Sequence, residues 1–281
     1  MDGGLVLVSN RPDNTYYQEV IEIEVAKTAT DEITTDTTKP TQRFERKFSI
    51  LPRNIGFALS FLKQICRPDR EYPKDQVSSL YFDTYDLDEY VRSASGDFNK
   101  NKVRIRWYGS DIGKATIPVF LELKSREGFA SSKQRERFPV PSERLQPANL
   151  GHGIVDKTVL TDTLARFGHF PDSPLRPVIL ITYYRHRFTE MQTGVRVSFD
   201  YDISASAMAL ELGRRESKIH LPGGVIEVKG PSLELPVTLR RMQVLDTDWS
   251  RFSKYGYCVE AYLSEPGSVA RFSPSGRMIL P

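Results

Sequence analysis

The chain has 281 residues, with 39 Lys and Arg against 36 Asp and Glu, a net charge of +3, 27% charged and 11% aromatic residues. That length allows one large domain, the composition is not that of a disordered chain, and so small a net charge does not itself mark a nucleic-acid binder. Two distant cysteines, Cys66 and Cys258, argue against a disulfide framework or zinc site and read as small buried side chains.

Residues 1–41 read as an N-terminal arm and linker. Residues 16–25 alternate like an edge strand, and 26–42, running one residue past the arm, are rich in Thr, Asp and Lys with no apolar period. Strand-like runs then follow at 43–50, 77–83, 102–108, 118–124, 133–140, 177–188, 194–202 and 225–230. Helical spacing appears at 54–67, with Asn54 as N-cap, at 156–167 before Gly168, and at 233–244, starting near Leu235 because of Pro236. A short helix is expected at 86–93. Residues 42–265 form the folded domain and 266–281 a loose tail. No run approaches the about 18 apolar residues of a membrane helix, and the start lacks a signal peptide, so the expected location is cytoplasmic.

Successive side chains of a strand point to opposite faces. In RFERKF, Arg43, Glu45 and Lys47 share one face and Phe44 and Phe48 the other. In KVRIRWYG, Lys102, Arg104 and Arg106 oppose Val103, Ile105 and Trp107. Glu122 and Lys124 oppose Leu121 and Leu123; Lys133, Arg135 and Arg137 line up, as do Arg185 and Arg187. Arg196, Ser198 and Asp200 oppose Val197 and Phe199, and Glu227 and Lys229 oppose Ile226 and Val228. One such strand is an ordinary solvated sheet face. Seven of them, rich in Arg and with Glu-x-Lys three times, predict a mainly antiparallel α+β fold. Its eight strands close into a tunnel, with helices packed outside the apolar face and the charges inside. Many like charges in a lumen are prohibitive unless a polyanion fills it. Arg matches phosphate bidentately, Lys as a point charge, and glutamates offer hard oxygens to Mg²⁺ or Mn²⁺.

With these motifs in order, and with SSLYFDT (78–84), RVSFD (196–200), VIEVKG (225–230) and FSKY (252–255), the sequence resembles the catalytic domain of vacuolar transporter chaperone (VTC) polyphosphate polymerases. That family lies within the triphosphate tunnel metalloenzymes, relatives of the CYTH enzymes. The resemblance covers residues 42–263. It implies phosphate-binding roles for Lys47, Arg104, Arg106, Lys124, Arg185, Arg196 and Lys254, with catalysis resting on Arg104, Arg106, Lys124, Arg185, Arg196 and Glu227. Lys133 and Arg135 are alternatives for one further phosphate contact. Glu227 is the implied metal ligand, with Glu45 and Glu122 as metal or network candidates. Lys254 has a second reading, as the start of a helix capped by Ser253. The implied ligands are ATP, tripolyphosphate or polyphosphate with Mg²⁺ or Mn²⁺, and no specific nucleic acid. Three functions stay open: polyphosphate synthesis from ATP, triphosphate hydrolysis, and binding without turnover. The eukaryotic polymerases carry a phosphate-sensing domain and a membrane anchor that are not read here, so polymer export or regulation of that kind is not implied, and a separate membrane partner stays open. The CYTH Glu-x-Glu-x-Lys signature is not present as such: in EIEVAK (22–27) Lys27 lies one residue too far and faces the other way.

Four scattered histidines offer no nucleophile arrangement, and His186 should point away from the lumen. Gly151, Gly153 and the pair Gly223–Gly224 read as turns, not phosphate loops. Asp83 reads either as a turn former or as a residue at the tunnel rim.

Overall fold

The computed structural model describes residues 44–128, 130–209, 212, 218–232, 234–245 and 252–264, with two short strands at 271–272 and 278–279. Chain contacts separate a unit Met1–Pro40 from a unit Thr41–Pro281, and every described residue lies in the second. The expected arm, the strand at 16–25, EIEVAK and Arg43 lie outside the described residues.

Nine strands make one antiparallel sheet: β1 (Phe44–Ile50), β2 (Cys66–Pro68), β3 (Lys74–Asp83), β4 (Asn99–Tyr108), β5 (Thr116–Glu127), β6 (Ala130–Pro141), β7 (Arg176–Glu190), β8 (Arg196–Ala207) and β9 (Lys218–Gly230). Their order is β1-β9-β8-β7-β3-β4-β5-β6, with β2 paired to β7 off that path. Each of the eight runs read from alternation is a strand, and β2 is an addition. The helices are α1 (Ile55–Ile65), α2 (Asp88–Ser95), α3 (Pro147–Leu150), α4 (Lys157–Arg166), α5 (Val237–Arg240) and α6 (Lys254–Ser264). Within the expected tail, β10 (Arg271–Phe272) pairs with β11 (Met278–Ile279).

The expected closed barrel is corrected: among the described residues the hydrogen-bonded ladder starts at β1, ends at β6, and does not join the two. Pro139 and Pro141 on β6 lack the N–H that a further ladder needs. The sheet is nevertheless strongly curled. β1 and β5 are six strand steps apart along the path, about 29 Å if the sheet were flat at about 4.8 Å per step. Yet Glu45 of β1 and Lys124 of β5 meet at 3.4 Å. Side chains, not backbone, bring the two flanks together.

Packing follows the alternation. On the outer face α4 lays Leu160 and Leu164 over Leu80, Val103, Ile105, Leu121 and Leu123. There also α1 lays Ala58 and Leu62 over Phe48, Val197, Phe199, Ile226 and Val228. Burial of each such Leu, Ile, Val or Phe side chain contributes roughly 1.5–3 kcal/mol. Asn54 precedes α1, but its side chain does not cap the helix and donates to the Leu245 carbonyl at 2.9 Å instead. The helix expected at 233–244 is only the short α5 followed by a 3-10 turn at Arg241–Leu245.

A second correction concerns α6. It packs on the inner face, not the outer. Phe252, Tyr255, Val259 and Tyr262 cluster with Ile179, Ile181, Ile203, Ala205 and Leu221. Along β7 the inner face therefore runs from Ile179 and Ile181, under α6, to Tyr183 and Arg185 in the polar part. β8 and β9 follow by register shifts at Thr182/Tyr184 and Tyr201/Ile203. Gly223 and Gly224 serve this bend and are not a turn, since both lie inside β9. Gly223 has φ 83°, and a Cβ there would collide with the Ile50 carbonyl; one on Gly224 would meet the Asp200 carbonyl at 2.7 Å.

Candidate active site

Strand register alone gathers the predicted residues on the inner face. Tyr81 pairs with Arg104, Arg104 with Glu122 and Glu122 with Arg135; Lys102 pairs with Lys124, and Lys124 with Lys133. Across the sheet Arg185 pairs with Asp200, Lys47 with Glu227 and Glu45 with Lys229. Since cross-strand partners share a face, these residues converge within the curl.

They form two clusters. In the first, Glu122, only 1% exposed, is shared by four cations. It accepts from Arg104 Nε at 2.8 Å and from Lys133 Nζ at 2.7 Å, with Arg135 Nε at 3.5 Å and Arg106 Nη1 at 3.7 Å. Lys133 and Arg135, read as alternatives, thus both reach the same carboxylate. Arg104 Nη1 also donates to Tyr81 Oη at 3.0 Å, while Arg106 donates to Ser79 Oγ at 3.1 Å and Tyr183 Oη at 3.2 Å. Burial alone would raise the Glu122 pKa, but Arg104 and Arg106 hold it well below the usual carboxylate range. Burial pushes Lys133 down to about 8 despite that partner.

In the second cluster Asp200 is fully buried and takes both arms of Arg185, Nε and Nη2, at 2.6 Å each. Lys254 Nζ adds a contact at 2.5 Å. Glu227 is held more loosely, 3.3 Å from Arg185, 3.6 Å from Lys254, 3.8 Å from Lys229 and 4.0 Å from Lys47. Burial would raise both carboxylate pKa values, yet the cations (Arg185 first at Asp200, Lys254 first at Glu227) hold both down and ionised. The two readings of Lys254 coexist. Ser253 Oγ accepts the Gly256 N–H at 3.2 Å as an N-cap, and the same first turn carries Lys254 into the polar cluster.

Glu45 links the clusters, 3.4 Å from both Lys47 and Lys124. Burial pushes it up, but Lys47 and Lys124 bring its pKa down to about 2. Lys47 Nζ also donates to the Phe252 carbonyl at 3.0 Å. Arg196 stands apart. It opens β8 opposite Lys229, is exposed, and makes no ion pair among the described residues.

Alternation had placed Asp200 and Lys102 on the polar face without assigning them a role. Asp200 is the carboxylate on which Arg185 and Lys254 converge. Lys102 Nζ lies 3.1 Å from Ser253 Oγ. Tyr81 and Tyr183 carry no sequence signal beyond alternation with Leu80 and Thr182. Asp83 is the turn former of its two readings. Fully buried, it accepts the N–H groups of Thr84, Glu89 and Tyr90 and the Tyr255 hydroxyl, tying α2 and α6 to β3. His186 stacks with Tyr201 and Phe188, both of them neighbours of the α1 core on the outer face. Cys66 and Cys258 are buried and free, with burial pushing both thiols up to about 12.

For a divalent cation, the donors must be ionised oxygens not already saturated. Glu122 does not fit, since both its oxygens hold cations within 2.8 Å. Glu227 and Glu45 fit: both are ionised, they face each other's strands, and their contacts are all 3.3 Å or longer. Among the described residues no group of three or more His, Cys, Asp or Glu could hold a metal.

Among solved structures the chain is similar to a candidate adenylate cyclase from Bacillus halodurans, at 16% identity and TM-score 0.46, covering 74% of this chain and 92% of that one. It is also similar to HpAC1, a candidate adenylyl cyclase from Hippeastrum with a dominant triphosphatase activity, at 16% identity and TM-score 0.41, covering 76% and 93%. No curated protein matches the sequence. The profile of the VTC domain matches residues 42–263, and the chain therefore belongs to the VTC-domain family.

Proposed function

We propose that this protein is an enzyme that binds a triphosphate or polyphosphate along the inner face of its sheet and transfers the terminal phosphoryl group, most directly from ATP to a growing polyphosphate. One observation carries the reading: basic side chains from β1, β4, β5, β6, β7, β9 and α6 converge on one face and outnumber the four carboxylates set among them. Such an excess of cations, much of it buried, is costly unless an anion completes it.

Phosphoryl transfer asks a protein mainly for positioning and charge stabilisation. Arg104 and Arg106 are locked by Glu122, Ser79, Tyr81 and Tyr183, so their forks need little reorganisation to meet phosphate oxygens. Lys47, Lys124, Lys133 and Arg135 reach inward from the two flanks of the curl and would clamp the chain of phosphates. Arg185 and Lys254, spent on Asp200, would act mainly by fixing Glu227. Arg196, exposed at the start of β8 opposite Lys229, would be at most an outlying contact for the anion. Glu227 and Glu45 would hold Mg²⁺ or Mn²⁺, whose role when bound is to neutralise phosphate oxygens.

A second reading, hydrolysis of a short triphosphate, is favoured by α6, whose apolar side chains cover one end of the inner face and leave less room for a long polymer. Incubating the purified protein with ATP and Mn²⁺ or Mg²⁺, and resolving ADP, orthophosphate and polymer, separates the two. Polymer with stoichiometric ADP supports synthesis; orthophosphate alone supports hydrolysis. Arg104→Ala and Glu227→Gln should each lower turnover at least about a hundredfold while circular dichroism stays unchanged. Wild-type rates in both variants would remove the site.

A further inference from the structure

On the phosphate reading above, we infer that Lys102 is a further contact for the bound anion, the inner-face cation left without a carboxylate where β4 meets β1, β5 and the start of α6. Four of its neighbours in that face are engaged. Lys47 and Lys124 hold Glu45, Arg104 holds Glu122, and Lys254 holds Asp200. Among the described residues Lys102 makes no ion pair; its partner is the neutral Ser253 hydroxyl at 3.1 Å.

The strongest charges acting on it have its own sign. Lys47 reaches in from β1, Lys124 from β5, and Arg104 and Lys100 lie along β4 itself. Glu45, the nearby carboxylate, is taken up by Lys47 and Lys124. A half-buried ammonium among ammonium groups is unfavourable in the empty protein and favourable once a multivalent anion lies against it. Burial, and then Lys47 and Lys124, push Lys102 down to about 7, so near neutral pH much of it is uncharged until an anion arrives. An arriving phosphate chain restores the charge, and the proton comes from the buffer.

Titration calorimetry of tripolyphosphate into the full chain at pH 7.5, in two buffers of different ionisation enthalpy, reads both affinity and protons taken up. Wild type should take up roughly half a proton or more per tripolyphosphate beyond Lys102→Met. Lys102→Met should bind about tenfold more weakly or worse. Lys102→Arg, which keeps the charge at all pH values, should bind within a few-fold of wild type yet show the reduced uptake. Because Lys102→Met removes one of several like charges, its melting temperature should not fall. Equal affinity and equal proton counts in wild type and Lys102→Met overturn the inference, and so does a large drop in melting temperature, which would make Lys102 structural. Failure of wild type to bind tripolyphosphate overturns the phosphate reading itself and this contact with it.

Discussion

The two halves of the inner face solve the same electrostatic problem differently. Around Glu122 one carboxylate serves four cations, two of them, Lys133 and Arg135, with side chains 45% and 40% exposed. Around Asp200 a fully buried carboxylate is matched by Arg185 and Lys254, and Glu227 lies beside them as a second, loosely held one. The first half is short of negative charge and opens toward solvent, so an anion can complete it. The second is nearly neutral and its carboxylates are buried, so it behaves as a scaffold that fixes Glu227. Adjacent carboxylates on one sheet can thus be a ligand site's framework and its vacancy for charge.

Breaking the buried half should have the largest effect. Asp200→Asn strands the Arg185 guanidinium and the Lys254 ammonium in a buried setting, with a loss of about 3–5 kcal/mol in urea denaturation. Tripolyphosphate should recover little of it, because the position of Asp200 is fully buried. Glu122→Gln should cost less, about 1.5–3 kcal/mol, and saturating tripolyphosphate should restore most of the lost melting temperature by supplying the missing charge. Equal recovery in both variants would erase the distinction between the halves.

Much of this arrangement was legible in alternation. Glu45 and Lys47, Arg104 and Arg106, Glu122 and Lys124, and Glu227 and Lys229 sit on the inner face because period-2 patterning with Val, Ile, Leu or Phe between them permits no other. What alternation could not show is pairing. That Glu122 rather than Glu45 neutralises Arg104 depends on the β4–β5 register, and that Arg185 folds onto Asp200 depends on β7 and β8 being neighbours. β9 was read as beginning at Val225 because Pro222, Gly223 and Gly224 look like a turn, whereas they make a bulge. The start of α6 is legible in the Ser253 cap, but its length is not, because Tyr, Gly, Cys and Val give KYGYCVEAYLS a weak helical propensity. Its signal was the Ser253 cap followed by Tyr255, Cys258, Val259 and Tyr262 at spacings of three and four.

The lysines of the open half give a pH signature of intermediate size. Lys102 and Lys133 titrate near 7 and 8 in the folded protein, against 10.5 without the fold. Between about pH 7 and 10 the unfolded chain therefore binds more protons, and unfolding free energy rises with pH over that window. The urea midpoint of the ligand-free protein should increase from pH 7 to pH 9, and Lys102→Met should flatten the slope. Glu45 acts at the opposite end. Its folded value near 2 lies below 4.5, so its contribution is present above pH 4.5 and is lost as the pH falls toward 2. A midpoint that stays level or declines from pH 7 to pH 9 would contradict the picture of an open half short of negative charge.

The smallest stability effect belongs to the contact that spans the two flanks. Lys124 and Glu45 meet at 3.4 Å with side chains 42% and 27% exposed, so water screens the pair. Lys124→Ala should cost only about 0.2–1 kcal/mol. Burial pushes the Lys124 pKa down even with Glu45 beside it, so this carboxylate does not fully offset the cost of burying the ammonium. Tripolyphosphate affinity should therefore fall severalfold or more in Lys124→Ala while the urea midpoint barely moves. A pair built for stability would show the reverse, a clear loss of midpoint with affinity intact, and the flanks would then be held together by that ion pair and not merely lined by it.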